Sequence, residues 1–161
     1  MADLAVDNAA SLLIDQTLAE GLGSRAAVVT PERTYTYADL AALSDRAASG
    51  LRRLGVEPEQ RVALLMHDGI GFAATFLAAL KLGAVAVPLN TRLAAQEIQV
   101  ILADCRARVV VADPGLAVSP GHTTRAPVVE FDTLVRGASA DAVSPEPVGR
   151  DAMAFWLYTS G

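Results

Sequence analysis

The chain has 161 residues, of which 52% are hydrophobic and 19% are charged, and its formal net charge is −5 at pH 7. Its 13 Lys and Arg residues are scattered, so no basic run is present to neutralise the phosphates of a duplex, and we expect no nucleic-acid partner. The apolar share is high for a soluble domain, which predicts that part of the surface packs against a partner or against the remainder of a longer polypeptide.

The first segment predicts a helix followed by a small hairpin. Asn8 is suited to cap a helix over residues 9–20, which Gly21 ends. The residues predicted to face inward are Leu12, Leu13 and Leu18. Residues 26–29 and 34–36 are short β segments joined by a turn, and we expect them to pair at an edge of the structure.

A second helix is predicted from a capping motif. Thr36 and Asp39 have the spacing of a capping box, in which each side chain accepts a hydrogen bond from the other residue's backbone N–H. Apolar residues then recur at helical spacing, at Leu40, Leu43, Ala47, Leu51 and Leu54. Gly55 is expected to end this helix.

The centre of the chain predicts successive strand–helix–strand units. Residues 61–66 are an apolar run of strand length, and residues 70–82 have helical spacing with Asp68 as the expected N-cap. Gly83 supplies the left-handed residue that commonly ends a helix, and residues 84–87 form the next strand.

The same pattern continues with a helix over residues 96–103 and a β-branched strand over residues 108–111. Strands that are apolar throughout and alternate with helices are typical of a parallel sheet covered on both faces. The sequence therefore predicts an α/β fold with three layers and a mostly parallel sheet built from βαβ units, with right-handed crossovers between parallel neighbours.

Neither a secretory signal nor a membrane span is expected. The N-terminus carries Asp3 and Asp7 where a signal would be basic, which favours the cytoplasm. Residues 69–89 are long enough to cross a bilayer, but Lys81 deep in that run would cost about 2.5 to 3.5 kcal/mol. Three glycines and Pro88 interrupt the run, which fits a buried helix followed by a buried strand.

After the third strand the apolar periodicity weakens. Residues 114–126 predict a loop and residues 128–131 a short strand. Residues 137–150 have the composition of an extended connector that leads to residues 153–158, an apolar and aromatic run typical of a buried strand. Because natural domains seldom end on a buried strand, we expect residues 1–161 to be one incomplete N-terminal domain.

The last three residues are candidates for phosphate binding. A strand that leads into Thr159, Ser160 and Gly161 suits this role, because glycine lets backbone amides approach an anion and the hydroxyl groups donate further hydrogen bonds. A plain turn is the structural alternative for so short a stretch.

Three segments of the chain together resemble a known family. They are TYTYADL at residues 34–40, LKLGAVAVPLN at residues 80–90 and FWLYTSG at residues 155–161. In this order they resemble core motifs of the adenylate-forming (AMP-dependent synthetase/ligase) enzymes, which include acyl-CoA synthetases, luciferases and the adenylation domains of peptide synthetases. Residues 155–158 and the opening at residues 8–23 are most similar to benzoate-CoA and other aryl-CoA ligases.

The resemblance implies a function for the parent protein. A full enzyme of this kind activates a carboxylic acid, here an aromatic one, with ATP and Mg²⁺ to an acyl-adenylate and transfers the acyl group to coenzyme A. By resemblance, Thr159, Ser160 and Gly161 bind the nucleotide phosphates. The catalytic residues are expected downstream of Gly161, and no residue of this chain is expected to bind a metal. Residues 1–161 alone are therefore expected to be inactive.

Other chemically capable residues have simpler interpretations. His67 follows a predicted parallel strand, where ligands of open α/β sheets bind, but the family pattern does not require histidine there. His122 lies in a polar loop, and Cys105, the single cysteine, is interpreted as a small core residue. Trp156 and Tyr158 are interpreted as core residues of the last strand.

Two hypotheses from different classes remain open from the sequence. The first is the N-terminal portion of an acyl-CoA synthetase, and the second is a free-standing, non-catalytic α/β module that binds a nucleotide or a protein. A reading frame that continues with glycines and a lysine after Gly161 favours the first hypothesis, and a stop codon there favours the second. Under the first hypothesis, residues 1–161 expressed alone are expected to associate through uncovered apolar surface.

Overall fold

The computed structural model describes residues 8–116 and 126–159. The first helix consists of a π-helical stretch, Ser11–Asp15, followed by the α-helical α1 (Gln16–Ala19). The strands β1 (Ala26–Val29) and β2 (Thr34–Thr36) then pair antiparallel. This pairing confirms the predicted hairpin.

The buried face of the first helix differs from the prediction. Leu12 and Leu13 are 50% and 56% exposed, whereas Ala10 and Ile14 are buried. A π-helical turn holds more residues than an α-helical turn, so it rotates side chains away from the face that α-helical spacing predicts. The predicted cap is confirmed, because Asn8 Oδ1 accepts a hydrogen bond from the Ala10 N–H at 3.0 Å.

The long helix α2 (Tyr37–Arg53) begins at the predicted capping box. Thr36 Oγ1 accepts a hydrogen bond from the Asp39 N–H at 3.1 Å, and the Asp39 carboxylate accepts one from the Thr36 N–H at 2.9 Å. The helix buries one face that carries, besides its apolar residues, a single carboxylate, Asp45. That carboxylate accepts hydrogen bonds from Lys81 Nζ and from the Val143 N–H.

The predicted strand–helix–strand units follow. β3 (Arg61–Leu65) is followed by α3 (Ile70–Lys81) and β4 (Val85–Pro88), and then by α4 (Ala95–Cys105) and β5 (Val109–Ala112). The three strands pair in parallel in one sheet, with β3 between β4 and β5. The α/β architecture with a parallel sheet is thereby confirmed.

A short fourth strand, β6 (Val128–Val129), pairs in parallel with β5 at the other edge of the sheet. The strand predicted over residues 128–131 is too long, because Glu130 is the N-cap of the helix α5 (Phe131–Val135). Phe131 packs against the core as part of this helix.

Helices cover both faces of the sheet. Alternate side chains of each strand point to opposite faces, and every side chain from Val62 to Leu65 is at most 1% exposed. One face packs against α2, α3 and α5, and its sheet residues are Val62, Leu64, Met66, Ala86, Val109 and Val111. The opposite face packs against α4 through Ala63, Leu65, Val87, Val110 and Ala112. These are the three predicted layers.

The ends of α3 confirm one prediction and correct another. Gly83 has φ +66° and ends the helix in the left-handed conformation, as predicted. Asp68 is not the N-cap, because Gly69 occupies that position in an extended conformation and no side chain caps the helix. In the described part of the chain, no helix has the length and apolarity needed to cross a bilayer. The buried Lys81 instead pairs with Asp45 at 2.6 Å.

The run at residues 153–158 is not the buried strand that its composition predicts. It pairs with β4 through one parallel bridge, between Phe155 and Ala86. Phe155 is 49% exposed and Leu157 is 64% exposed. The run lies beyond β4, and no described residue pairs with its outer edge, so it forms an edge of the described sheet.

Candidate functional site

The carboxyl ends of the parallel strands bring several polar residues together. His67 and Asp68 follow β3, Asn90 follows β4, and Asp113 follows β5. Since parallel strands end at the same edge of a sheet, the loops after them form one rim. Ligands of open α/β sheets bind at such a rim.

Two adjoining clefts lie along this rim. The larger cleft has a volume of about 690 Å³ and lies on the side of the rim next to β4. It is lined by Met66, His67, Asp68, Phe72, Pro88, Leu89, Asn90, Thr91, Arg92, Leu157 and Tyr158. The smaller cleft, of about 290 Å³, lies on the β5 and β6 side and shares His67 and Asp68 with the larger one. The run that precedes the candidate phosphate loop therefore forms one wall of the larger cleft.

His67 is held by a single carboxylate between the two clefts. Its backbone N–H donates to Asp113 Oδ2 at 2.7 Å, and its ring Nδ1 lies 2.9 Å from the same oxygen. The imidazole ring remains 66% exposed. This pair joins the loops after β3 and β5, a contact between residues 46 positions apart that the sequence does not predict.

The structure describes only part of the predicted phosphate-binding stretch. Thr159 is exposed and directly follows Tyr158, which lines the larger cleft. Ser160 and Gly161 lie outside the described residues, as does His122. The phosphate-binding role of Thr159, Ser160 and Gly161 therefore stays a prediction.

The two aromatic residues before Thr159 are not both in the core. Trp156 is partly buried against the α4 face of the sheet, but Tyr158 is 38% exposed. Tyr158 Oη instead donates a 2.6 Å hydrogen bond to Asp104 Oδ2 on α4. Burial, together with this hydrogen bond to a carboxylate, raises the pKa of Tyr158 above its ordinary range. The sequence carried no signal for this pairing.

Cys105 is a core residue, as the sequence predicts. It is 1% exposed within the cluster below α4, and burial raises the pKa of its thiol above the ordinary range. A buried, protonated thiol is a poor nucleophile. In the described residues, no group of three or more His, Cys, Asp and Glu side chains is placed to hold a metal ion.

Comparison with known proteins identifies the family. The model of the AMP-binding enzyme family matches residues 16–161. The chain belongs to this family. The match runs through the hairpin, the βαβ units and the run that forms the wall of the larger cleft. It favours the synthetase hypothesis over that of a free-standing binding module.

The curated relatives include ligases for aromatic and for aliphatic acids. A 3-hydroxybenzoate–CoA/4-hydroxybenzoate–CoA ligase of Thauera aromatica is 34% identical over 171 residues, covering 96% of this chain and 32% of that protein. A long-chain-fatty-acid–CoA ligase of Mycobacterium tuberculosis is 42% identical over 144 residues, covering 78% of this chain and 27% of that protein. The chain thus spans about a third of the length of the curated relatives it matches.

Solved structures agree with the fold of this family. A benzoate CoA ligase from Burkholderia xenovorans LB400 superposes with a TM-score of 0.85 at 30% identity, over 94% of this chain and 32% of that one. An anthranilate CoA ligase superposes with a TM-score of 0.86 at 26% identity, over 94% and 31%. The three-layer arrangement is therefore that of part of an AMP-binding enzyme.

Proposed function

We propose that the chain is the N-terminal portion of an ATP-dependent acid–CoA ligase that forms AMP. The parent enzyme activates a carboxylic acid with ATP to an acyl-adenylate, releases pyrophosphate and transfers the acyl group to coenzyme A. The observation that carries this proposal is the position of residues 157 and 158, which line the cleft at the carboxyl ends of the strands and lead directly to Thr159. The compartment that we propose for the enzyme is the cytoplasm.

The chemistry requires a group that holds the polyphosphate of ATP. A carboxylate is a poor electrophile until one of its oxygens becomes part of a good leaving group. Adenylation achieves this, and negative charge develops on the departing pyrophosphate. Hydroxyl groups and backbone amides directed at that charge stabilise the transition state. We assign this role to Thr159, Ser160 and Gly161.

Mg²⁺ would enter this reaction with the nucleotide. Among the described residues no three His, Cys, Asp or Glu side chains come together, and we assign the ion no ligand from this chain. Bound to the phosphates of ATP, the ion would supply charge neutralisation. The contribution of this chain is to hold and orient the phosphates.

We propose that the acid is aromatic. The relatives that match 96% of the chain act, by name, on benzoate and hydroxybenzoates. The fatty-acid ligase has a higher identity over a shorter stretch, and long fatty acids are therefore the competing substrates in the test.

The test is exchange of labelled pyrophosphate into ATP by the protein encoded by the complete reading frame that contains this chain. We expect exchange that depends on benzoate or a hydroxybenzoate and is weaker with acetate or palmitate. Exchange with long fatty acids only would refute the aromatic assignment and leave the ligase proposal intact. No exchange with any acid would refute the ligase proposal.

Residues 1–161 provide the second arm of the same test. Holding the carboxylate and the α-phosphate at attack distance is worth about 7 to 11 kcal/mol of the barrier in favourable cases. We expect these residues alone to show no exchange, because we place the acid and adenine sites elsewhere in the polypeptide. Exchange by residues 1–161 alone would contradict this placement of the active site.

A further inference from the structure

The backbone of the run before Thr159 is fixed to β4 at only one point. The Ala86 N–H donates to the Ala154 carbonyl at 3.1 Å, and the Trp156 N–H donates to the Ala86 carbonyl at 2.9 Å. Within the part of the chain that the structure describes, residues 157–159 make no backbone hydrogen bond. Among the described residues, the contacts that hold residues 157–159 are therefore made by side chains.

The side-chain bond nearest to Thr159 is the one between Tyr158 and Asp104. It is 2.6 Å long, which is short for two oxygens and is typical of a hydroxyl that donates to a carboxylate. Asp104 lies in the last turn of α4. The next residue, Cys105, is buried in the core. The carboxylate is thus carried by a helix that cannot shift independently of the sheet.

Trp156 is held at the same helix turn. The guanidinium of Arg61 lies 5.6 Å from the centre of the Trp156 ring, and Arg61 Nε donates to the Cys105 carbonyl at 2.7 Å. Residues two apart in an extended run face the same side. Both aromatic side chains of that side are therefore attached to the last turn of α4, one directly and one through Arg61.

We propose that Asp104 is a positioning residue for nucleotide binding. Through Tyr158 it fixes the path of the chain into Thr159, and so holds this first assigned phosphate-binding residue next to the wall of the larger cleft before ATP arrives. This inference rests on the proposed function, because it gives a role to a residue outside the motif that we assign to phosphate binding. We name the set Arg61, Asp104, Trp156 and Tyr158 the α4 clamp.

The clamp acts on the affinity for ATP because it acts before binding. A loop that is already held in its bound path loses less conformational freedom when the ligand binds. Loss of the clamp leaves the hydroxyl and amide groups chemically intact but less often in place. The effect is therefore expected on the KM for ATP and not on the KM for the acid.

The experiment measures pyrophosphate exchange with the protein encoded by the complete reading frame. Asp104→Ala and Tyr158→Phe should each raise the KM for ATP about tenfold, which corresponds to about 1.4 kcal/mol. The double variant should show no further rise, because the two side chains act through one bond. Asp104→Asn keeps an oxygen acceptor and should stay within about threefold of the unmodified protein. Gln96→Ala, an exposed change on the same helix, is the matched control.

Each other outcome has a defined meaning. An unchanged KM for ATP in Asp104→Ala overturns the positioning role. A lower kcat with an unchanged KM indicates fewer folded molecules, which is a purely structural effect and also overturns it. Absence of exchange in the unmodified protein refutes the ligase function itself, and is thereby distinguished from failure of the clamp.

Amide hydrogen exchange in the nucleotide-free protein supplies a readout that does not depend on activity. Peptides that cover residues 157–159 should exchange faster in Asp104→Ala and Tyr158→Phe than in Gln96→Ala. Equal exchange in all three variants would show that the clamp does not hold this stretch, and would overturn the proposal even where ATP affinity changes.

Discussion

Two apolar runs on either side of β4 differ completely in burial. β3 lies between β4 and β5, and Leu64 within it is fully buried. The run at residues 153–158 meets β4 on its other side, and Leu157 within it is 64% exposed. Both runs are mostly apolar, which predicts an extended conformation for each, but position in the sheet decides burial.

The segment that leads to the second run also differs from the end of that run in how many hydrogen bonds hold it. The Val143 N–H donates to Asp45 Oδ1 at 3.1 Å, and the Glu146 N–H donates to the Lys81 carbonyl at 2.8 Å. Asn8 Nδ2 donates to the Glu146 carbonyl at 3.0 Å. Residues 143–146 thus contact three separate elements, whereas among the described residues no backbone hydrogen bond holds residues 157–159.

The largest expected effect is on the contacts that hold residues 143–146, which include the carboxylate of Asp45. Lys81→Met removes the cation that pairs with Asp45 at 2.6 Å and leaves that buried carboxylate without a counterion. Removing one partner of a buried ion pair costs about 3 to 5 kcal/mol. We expect a loss of this size in the free energy of unfolding of residues 1–161, measured by urea unfolding at low protein concentration.

Arg46→Met is the matched control for this change. Arg46 is exposed and lies next to Asp45 on the same helix, so its replacement should change the free energy of unfolding by less than about 0.5 kcal/mol. Equal losses in the free energy of unfolding for the two variants would contradict the idea that the buried ion pair stabilises the fold.

A smaller effect is expected from a leucine pair that tests the comparison itself. Leu64→Ala should cost about 2 to 5 kcal/mol, because it leaves a cavity in a closed core. Leu157→Ala should change the free energy of unfolding of residues 1–161 by less than about 0.5 kcal/mol, because the side chain is mostly in solvent. Similar losses in the same urea experiment would mean that the second run is buried in solution.

The smallest effect is expected at the capping box of α2. A hydrogen bond from the Thr36 backbone, and then one from its side chain, lower the pKa of Asp39. A carboxyl group with a lowered pKa stabilises the fold above its unfolded pKa, and this contribution is lost as the pH falls through the folded pKa.

The stability difference between the unmodified chain and Asp39→Asn should therefore be present at pH 7 and should shrink below about pH 4. Urea midpoints of both proteins at pH 7 and at pH 3 measure it. A difference that grew on acidification would contradict the assigned hydrogen bonds.

Much of the fold could be predicted because it is encoded locally. Buried runs such as residues 61–65 alternate with helical spacing and glycine stops, and Thr36 with Asp39 marks the start of α2 within four residues. In the first helix Leu12 and Leu13 were wrongly predicted to face inward, since the π-helical stretch Ser11–Asp15 has no clear sequence signal, whereas Leu18 packs against the core as predicted. The prediction that residues 153–158 are buried was also wrong, because burial of a strand depends on its neighbours in the folded structure.

The site could be predicted only where it coincides with a contiguous motif. The assignment of Thr159 comes from its place after an apolar run and from the family resemblance, and it stays a prediction. The bonds between His67 and Asp113 and between Tyr158 and Asp104 join residues 46 and 54 positions apart. Such contacts follow from the order of strands in the sheet, and one sequence does not encode that order in any local pattern.

The most direct test of the account is the contribution of Thr159 to ATP binding. In the protein from the complete reading frame, Thr159→Val removes one hydroxyl group and keeps the shape of the side chain. A hydrogen bond to a charged group is worth about 1.5 to 3 kcal/mol, so the KM for ATP in pyrophosphate exchange should rise about tenfold or more. Thr133→Val, an exposed change on α5, should leave it unchanged. A KM for ATP that is the same in both variants would contradict the assignment of Thr159 to the phosphate site.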